Sequence, residues 1–266
     1  LPGLGTRHTL LSMTHDDVEG WYRKFVVREN LVVAVFGDVR PGEAGPIVDA
    51  AFKDVSSKPF RPGAIAKEAE FDGFRERWEL GQGPDNTVTL AFNGPRATSA
   101  DIPALYVVNS IFTMPYGLFE TYLNSTPFYK GSTAIVSHAV DESPIIATAS
   151  LVGPVQEESG VKLLFHQFKK IAFLNFVTGA YADTLRMAKT HASGQYQGVL
   201  RSNTSRAFQV ARSELFGLGV DYPVLLPSRM EGVTGADIER IGFKYFERDA
   251  FNRQPYAITE TRPGGW

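Results

Sequence analysis

The 266-residue chain contains no cysteine. Disulfides, thiolate zinc sites and thiol nucleophiles are therefore excluded, although the absence fits a reducing and an oxidising compartment equally. An excess of charge of either sign is also missing: 27 Lys+Arg stand against 29 Asp+Glu, for a formal net charge of -2. That balance gives no electrostatic footing for nucleic acid or an anionic membrane surface. No apolar run approaches the length of a membrane span, and the longest, such as Leu31 to Phe36, are strand-sized. The histidines are His8, His15, His138, His166 and His191, with no pair four residues apart. Both H-E-x-x-H and H-x-x-E-H are thus missing. There is no G-x-S-x-G elbow, and Gly81-Gln-Gly83 lacks the Lys and the strand–loop–helix context of a phosphate cradle.

What is present is a globular composition, 43% hydrophobic, at a length that buries a full core in one or two domains. Within it, one stretch returns. Thr14, Asp17, Val18, Glu19, Lys24, Phe25 and Arg28 recur as Thr234, Asp237, Ile238, Glu239, Lys244, Tyr245 and Arg248, at an offset of about 220 residues. With about three further residues in the second copy, Ala34-Val35 meets Ala257-Ile258. Each copy reads as a Thr N-cap with Asp at the third helical position, a helix, a short connection and a strand. A duplicated unit is the simplest account. Residues 40–266 then hold one whole unit, and residues 1–39 close an earlier one. Leu1-Pro-Gly-Leu-Gly5 reads as a loop, without Met or a targeting segment. The expectation is a portion of a longer protein.

After a loop over 1–13, a helix from His15 to about Val26 places Val18, Trp21, Tyr22 and Phe25 on one face. Leu31 to Phe36, ended by Gly37-Asp38, has the look of a buried central strand. A helix over Glu43–Phe52 comes next. Residues 54–66, with Pro59, Pro62 and Gly63, have linker composition, which sets the division at 1–62 and 63–266. Phe74–Leu80 and Asn86–Asn93 read as a hairpin about Gly81–Asp85, with Val88, Leu90 and Phe92 on one face. Asp101–Tyr122 reads as a helix interrupted near Pro115-Tyr-Gly117. Gly131–Val140 and Pro144–Gly153 form an antiparallel pair about Asp141–Ser143. From Glu157 to about Gly219 the pattern is mostly helical, with turns near Thr178-Gly179 and Gly194. Pro223–Pro227 reads as a connection, and Thr234–Ile258 closes the unit. Runs of strands alternating with runs of helices predict an α+β fold, an antiparallel sheet covered on one face by helices.

Single residues carry little chemistry in this reading. His15 beside Asp16 and Asp17 is capping electrostatics. His138 near Asp141 is a turn residue before it is a ligand. His166 marks the polar side of a helix.

The segment Leu11-Ser12, Asp17, Asn30 and Gly37-Asp38 resembles the well-marked end of a domain in the insulinase-like, or pitrilysin-type, M16 zinc metallopeptidases and their non-catalytic partners. TVTLAFNGP, the helix after it, LFETYL and the paired strands resemble the opening of that family's inactive second domain. The resemblance implies the family's repeated two-layer, metallohydrolase-type domain. In such proteins a metal-binding H-x-x-E-H lies on the first helix of the first domain. On the matching helix this chain carries Leu105, Val108 and Asn109, so the resemblance implies no metal, no cofactor and no catalytic residue here, with zinc in a catalytic domain or partner elsewhere.

The same resemblance implies a substrate-binding Arg and Tyr in the inactive domain. Tyr129 matches the Tyr; Asn124 stands where the Arg is expected, and Lys130 is the nearby cation, though without a forked guanidinium. Packing of Tyr129 on the helix layer is the alternative. The functions implied are the non-catalytic half of a zinc peptidase or its paired subunit, part of a chamber for an extended peptide, or a structural core-protein-like subunit of a larger complex. A stand-alone peptide-binding module is the third. The partners expected are a catalytic M16 domain or subunit, an extended peptide and, through the apolar helices at 15–26 and 43–52, another copy of the chain. Nucleic acid and a membrane span are not expected.

Overall fold

The computed structural model describes residues 5–60, 63, 75–81, 86–118, 121, 129–136, 144–151, 171, 173–174, 176–246 and 256–263. Five strands, β1 (Arg75–Gly81), β2 (Asn86–Phe92), β3 (Tyr129–Val136), β4 (Ile145–Leu151) and β5 (Tyr256–Pro263), form one sheet in the order β1-β5-β2-β4-β3. Strand β2 alternates as its sequence dictates: Val88, Leu90 and Phe92 are buried, while Thr89 on the other face shares a hydroxyl contact of 3.1 Å with Thr148. The β3/β4 pair is antiparallel as expected.

The hairpin expected between the first two strands is not formed. β5 lies between them, antiparallel to β2 and parallel to β1. The turn residues after Gly81 signalled a change of direction, but not which strand would take the vacant edge. The last strand in sequence fills it, which makes the otherwise antiparallel sheet mixed at one edge. The α+β class stands.

Helices cover the buried face: α4 (Ile102–Thr113), α5 (Ala180–Val199), α6 (Asn203–Leu215), α7 (Tyr222–Glu231) and α8 (Gly235–Ile241), after α1 (Arg7–Ser12), α2 (His15–Phe25) and α3 (Pro41–Ala51). Leu105, Val108, Ile111 and Phe112 of α4 meet Leu90 and Phe92 of the sheet in one cluster. Phe92 stands edge-on to Phe246 at 5.1 Å. α4 ends where expected: Gly117 sits where a Cβ would lie 2.7 Å from the Met114 carbonyl oxygen, and exposed Tyr116 has φ 62°. Only a residue without a side chain fits that approach.

Three further expectations are corrected. Thr6 and Thr9 form a capping box that starts α1 within the supposed loop. Gly194 lies inside α5, where burial of Ala192, Ser193 and Tyr196 offsets its poor propensity. Pro223–Pro227 is helical: Pro223 occupies the first turn of α7, where a missing N–H costs nothing, and Pro227 is buried within it.

The fourth correction concerns Leu31 to Phe36. This segment is neither helix nor strand and pairs with no strand among the described residues. Val33, Val35 and Phe36 are 45%, 48% and 40% exposed. Apolar β-branched residues make a strand only where a neighbour offers a ladder of hydrogen bonds. Here α2 ties instead to the end of α3. The Arg28 guanidinium donates to the carbonyls of Phe52, Lys53 and Val55, and the Asn30 amide closes α2 on the Phe25 carbonyl at 3.0 Å.

The two Thr-led helix starts have matching geometry. Thr14 Oγ1 donates to Asp17 Oδ2 at 2.7 Å and accepts from the Asp17 N–H at 3.2 Å. Thr234 and Asp237 do the same at 2.6 and 3.2 Å. These hydrogen bonds hold both carboxyls below their usual pKa. Their consequences differ, because Ile238 and Ile241 of α8 are fully buried whereas α2 buries no residue. Thr234→Ala is expected to lower global stability by about 1 kcal/mol. Thr14→Ala is expected to leave the main thermal transition unmoved. Paired melts by circular dichroism check this.

Candidate functional site

The helix expected to match a metal-bearing one is α4, and its side chains decide what it can do. Leu105 and Val108 are buried at 0% and 3% exposure, inside the core. Asn109 is half-buried, and its Oδ1 is enclosed without a hydrogen-bond partner. Two aliphatic side chains and a carboxamide offer neither imidazole nor a carboxylate base. These residues do not fit zinc.

Ser110, one position on, touches His191 Nδ1 of α5 at 3.2 Å. The far ring nitrogen faces the Gln195 amide at 3.1 Å. With a carboxamide where an acyl-transfer relay needs a carboxylate, this contact fastens α4 to α5 and does no chemistry. His15, Asp16 and Glu19 come close enough for a shared cation. They are surface groups of the first turns of α2, where acids offset the free N–H groups. His138, Asp141 and His166 lie outside the described residues.

The strongest electrostatic centre was not legible in the sequence. Asp101, 5% exposed at the start of α4, accepts hydrogen bonds from Arg240 (2.5 Å), Lys244 (2.6 Å) and Tyr245 (2.7 Å). Burial alone would raise its pKa, but the bonds from Lys244, Arg240 and Tyr245 outweigh that and lower it to about 2. The cluster binds α4 to α8 and the π turn Gly242–Phe246 that succeeds it. All of Asp101's charge is spent inside the fold, so it is a clasp. Some 140 residues separate the partners, and only the recurrence of Lys24 as Lys244 hinted at one of them.

Between α4, α5, α6 and α7 lies a small half-open hollow of about 20 Å³, lined by Tyr106, Tyr196, Tyr222 and Arg212 among others. Burial raises the pKa of all three phenols, which keeps them neutral hydrogen-bonding groups.

Of the residues expected to hold substrate, Asn124 lies outside the described residues. Tyr129 and Lys130 open β3, the outermost strand on its side of the sheet among the described residues. Tyr129 pairs with Leu151 and Gly131 with Ser150, so the register shifts across Lys130. Such a bulge bends the strand and alters its local twist.

Residues 12–172 match the family described as the peptidase M16 inactive domain. None of the curated proteins matches significantly. Among solved structures, a protease from Helicobacter pylori superimposes with a TM-score of 0.82 at 16% identity, over 98% of this chain and 62% of that one. A peptidase M16 inactive domain from Pseudomonas fluorescens does so at 0.80 and 16%, over 98% and 60%. Complex III2 from Candida albicans gives 0.78 and 14%, over 98% and 62%. The chain thus spans about three fifths of the length of these structures, and at such identities they share its fold.

Proposed function

Because the chain belongs to the M16 peptidase family through its inactive domain, we propose that it is the non-catalytic part of an M16-type zinc peptidase or of its paired subunit. It holds an extended peptide in a chamber while a catalytic M16 domain or subunit supplies zinc and the general base. The observation that carries this reading is α4, a core helix at the positions where the catalytic relative needs ligands. What is left to the unit is binding. An extended peptide pairs with the outer edge of β3 by backbone hydrogen bonds, with Tyr129 and Lys130 at the entry of that edge and Asn124 preceding them in the sequence.

Titration of a flexible peptide of about twenty residues against the full chain tests it. Tyr129→Phe removes one hydroxyl and is expected to weaken binding about 2- to 10-fold, the range of one net hydrogen bond. An unchanged affinity removes Tyr129 from the site, and a wild type that binds no peptide counts against the reading.

A second reading, a structural subunit of a larger complex without a proteolytic role, is favoured by two observations. The fold is shared with complex III2 from Candida albicans, and Asn124 stands where a substrate-clamping Arg is expected. On that reading no peptide binds.

A further inference from the structure

The small hollow between α4, α5, α6 and α7 gathers polar groups that the fold itself leaves over. Tyr196, Tyr222 and Ser213 line it and are 7%, 8% and 3% exposed. None of their hydroxyls meets a hydrogen-bond partner among the described residues. Tyr106, the fourth hydroxyl, stands edge-on to Tyr196 at 5.9 Å and takes a hydrogen bond from the Arg212 guanidinium. Buried hydroxyls are ordinarily paired, with protein or with a bound particle. Three left over around one hollow mark a place where a particle is held.

The charge around the hollow has one sign. Arg212 donates to the Gln209 carboxamide at 2.8 Å and lies over the Phe208 ring at 5.8 Å, and it makes no ion pair among the described residues. Arg229 covers the Tyr222 ring at 5.2 Å. Burial holds the Tyr222 phenol protonated against the pull of Arg229 and Arg212, so it remains an O–H donor. A water molecule satisfies such hydroxyls but leaves the guanidinium charge unmet, whereas an anion answers both. A volume of about 20 Å³ admits one water-sized particle and shuts out carboxylate, phosphate and sulfate groups.

We infer that this hollow binds a single monoatomic anion, chloride in physiological media, held by the hydroxyls of Tyr196, Tyr222 and Ser213 and by the Arg212 guanidinium. The ion joins side chains of α5, α6 and α7 and, through the bond between Arg212 and Tyr106, α4 as well. It therefore fastens the helix layer on the sheet, and its affinity adds to the stability of that layer. The inference does not depend on whether the domain holds a peptide or serves as a structural subunit.

Thermal melts of the full chain in sodium chloride, sodium bromide and sodium gluconate at equal ionic strength test it. Across concentrations up to about 0.5 M, chloride and bromide are expected to raise Tm about 3 °C above gluconate, the shift given by about a tenfold excess of ion over Kd. Tyr222→Phe keeps the ring and removes one donor, and should cut the difference to about 1 °C or less. Arg212→Gln should abolish it. Each comparison is between two salts on one protein, so variants that are only less stable keep the full difference, and that result overturns the inference. Crystals grown in bromide should show its anomalous signal between Tyr196, Tyr222 and Arg212. Equal melting in chloride and gluconate, or bromide bound only elsewhere, would equally contradict it.

Discussion

Val108→Glu is expected to destabilise the domain by about 3 kcal/mol or more, enough to remove most of the stability of an ordinary domain. Val108 is 3% exposed on the core side of α4. A carboxylate there loses its water and gains no partner, so its pKa rises and the neutral acid is favoured. A group whose folded pKa is raised is least harmful below its unfolded value. The deficit is therefore expected to shrink near pH 4 and to be full at pH 7. Urea unfolding followed by circular dichroism at both values checks magnitude and sign. In a helix built to hold a metal, the same substitution would restore a general base; in this one it spoils a core. Stability unchanged at pH 7 would mean that α4 faces a cavity, and the assignment of this unit as non-catalytic would lose its physical footing.

Asp101→Ala is expected to cost about 2–3 kcal/mol. Removing one member of a buried ion pair costs about 3–5 kcal/mol when the survivor stays buried. Arg240 and Lys244, however, keep 47% and 53% of their side-chain surface in water, so part of their charge is resolvated and the cost is smaller. Asp101 has a folded pKa of about 2 against 3.8, a depressed value. Its contribution is therefore complete above pH 4 and disappears as the pH falls towards 2. Wild-type stability should drop across that window while the Asp101→Ala variant loses less, so the two unfolding curves converge at low pH. Parallel curves would place the stabilisation elsewhere.

The parts of the fold legible in the sequence were those set by local periodicity or local capping. The alternation of Val88, Leu90 and Phe92 specified a half-buried strand, and Thr14 with Asp17 and Thr234 with Asp237 specified two helix starts. What was not legible depends on distant partners. Leu31–Phe36 has the composition of a central strand, yet composition does not provide the neighbouring backbone that makes one. The insertion of β5 between β1 and β2 joins strands more than 160 residues apart in sequence, and nothing local in either announces it. Pro223 escapes a reading in which proline ends a helix because in the first turn it starts one, and Pro227 because it is a buried proline inside the same helix.

The candidate site divides in the same way. The absence of metal ligands on α4 could be read directly from Leu105, Val108 and Asn109. The Asp101 clasp needed the fold, because its donors are gathered from α8 and the turn after it.

Metal content of the full chain, measured after incubation with zinc and exhaustive dialysis, tests the central claim most directly. The account predicts no stoichiometric zinc and no peptide hydrolysis by the chain alone, because α4 offers Leu105, Val108 and Asn109 where ligands and base would have to be. One tightly held zinc per chain, removed by a chelator and lost on substitution within α4, would contradict it.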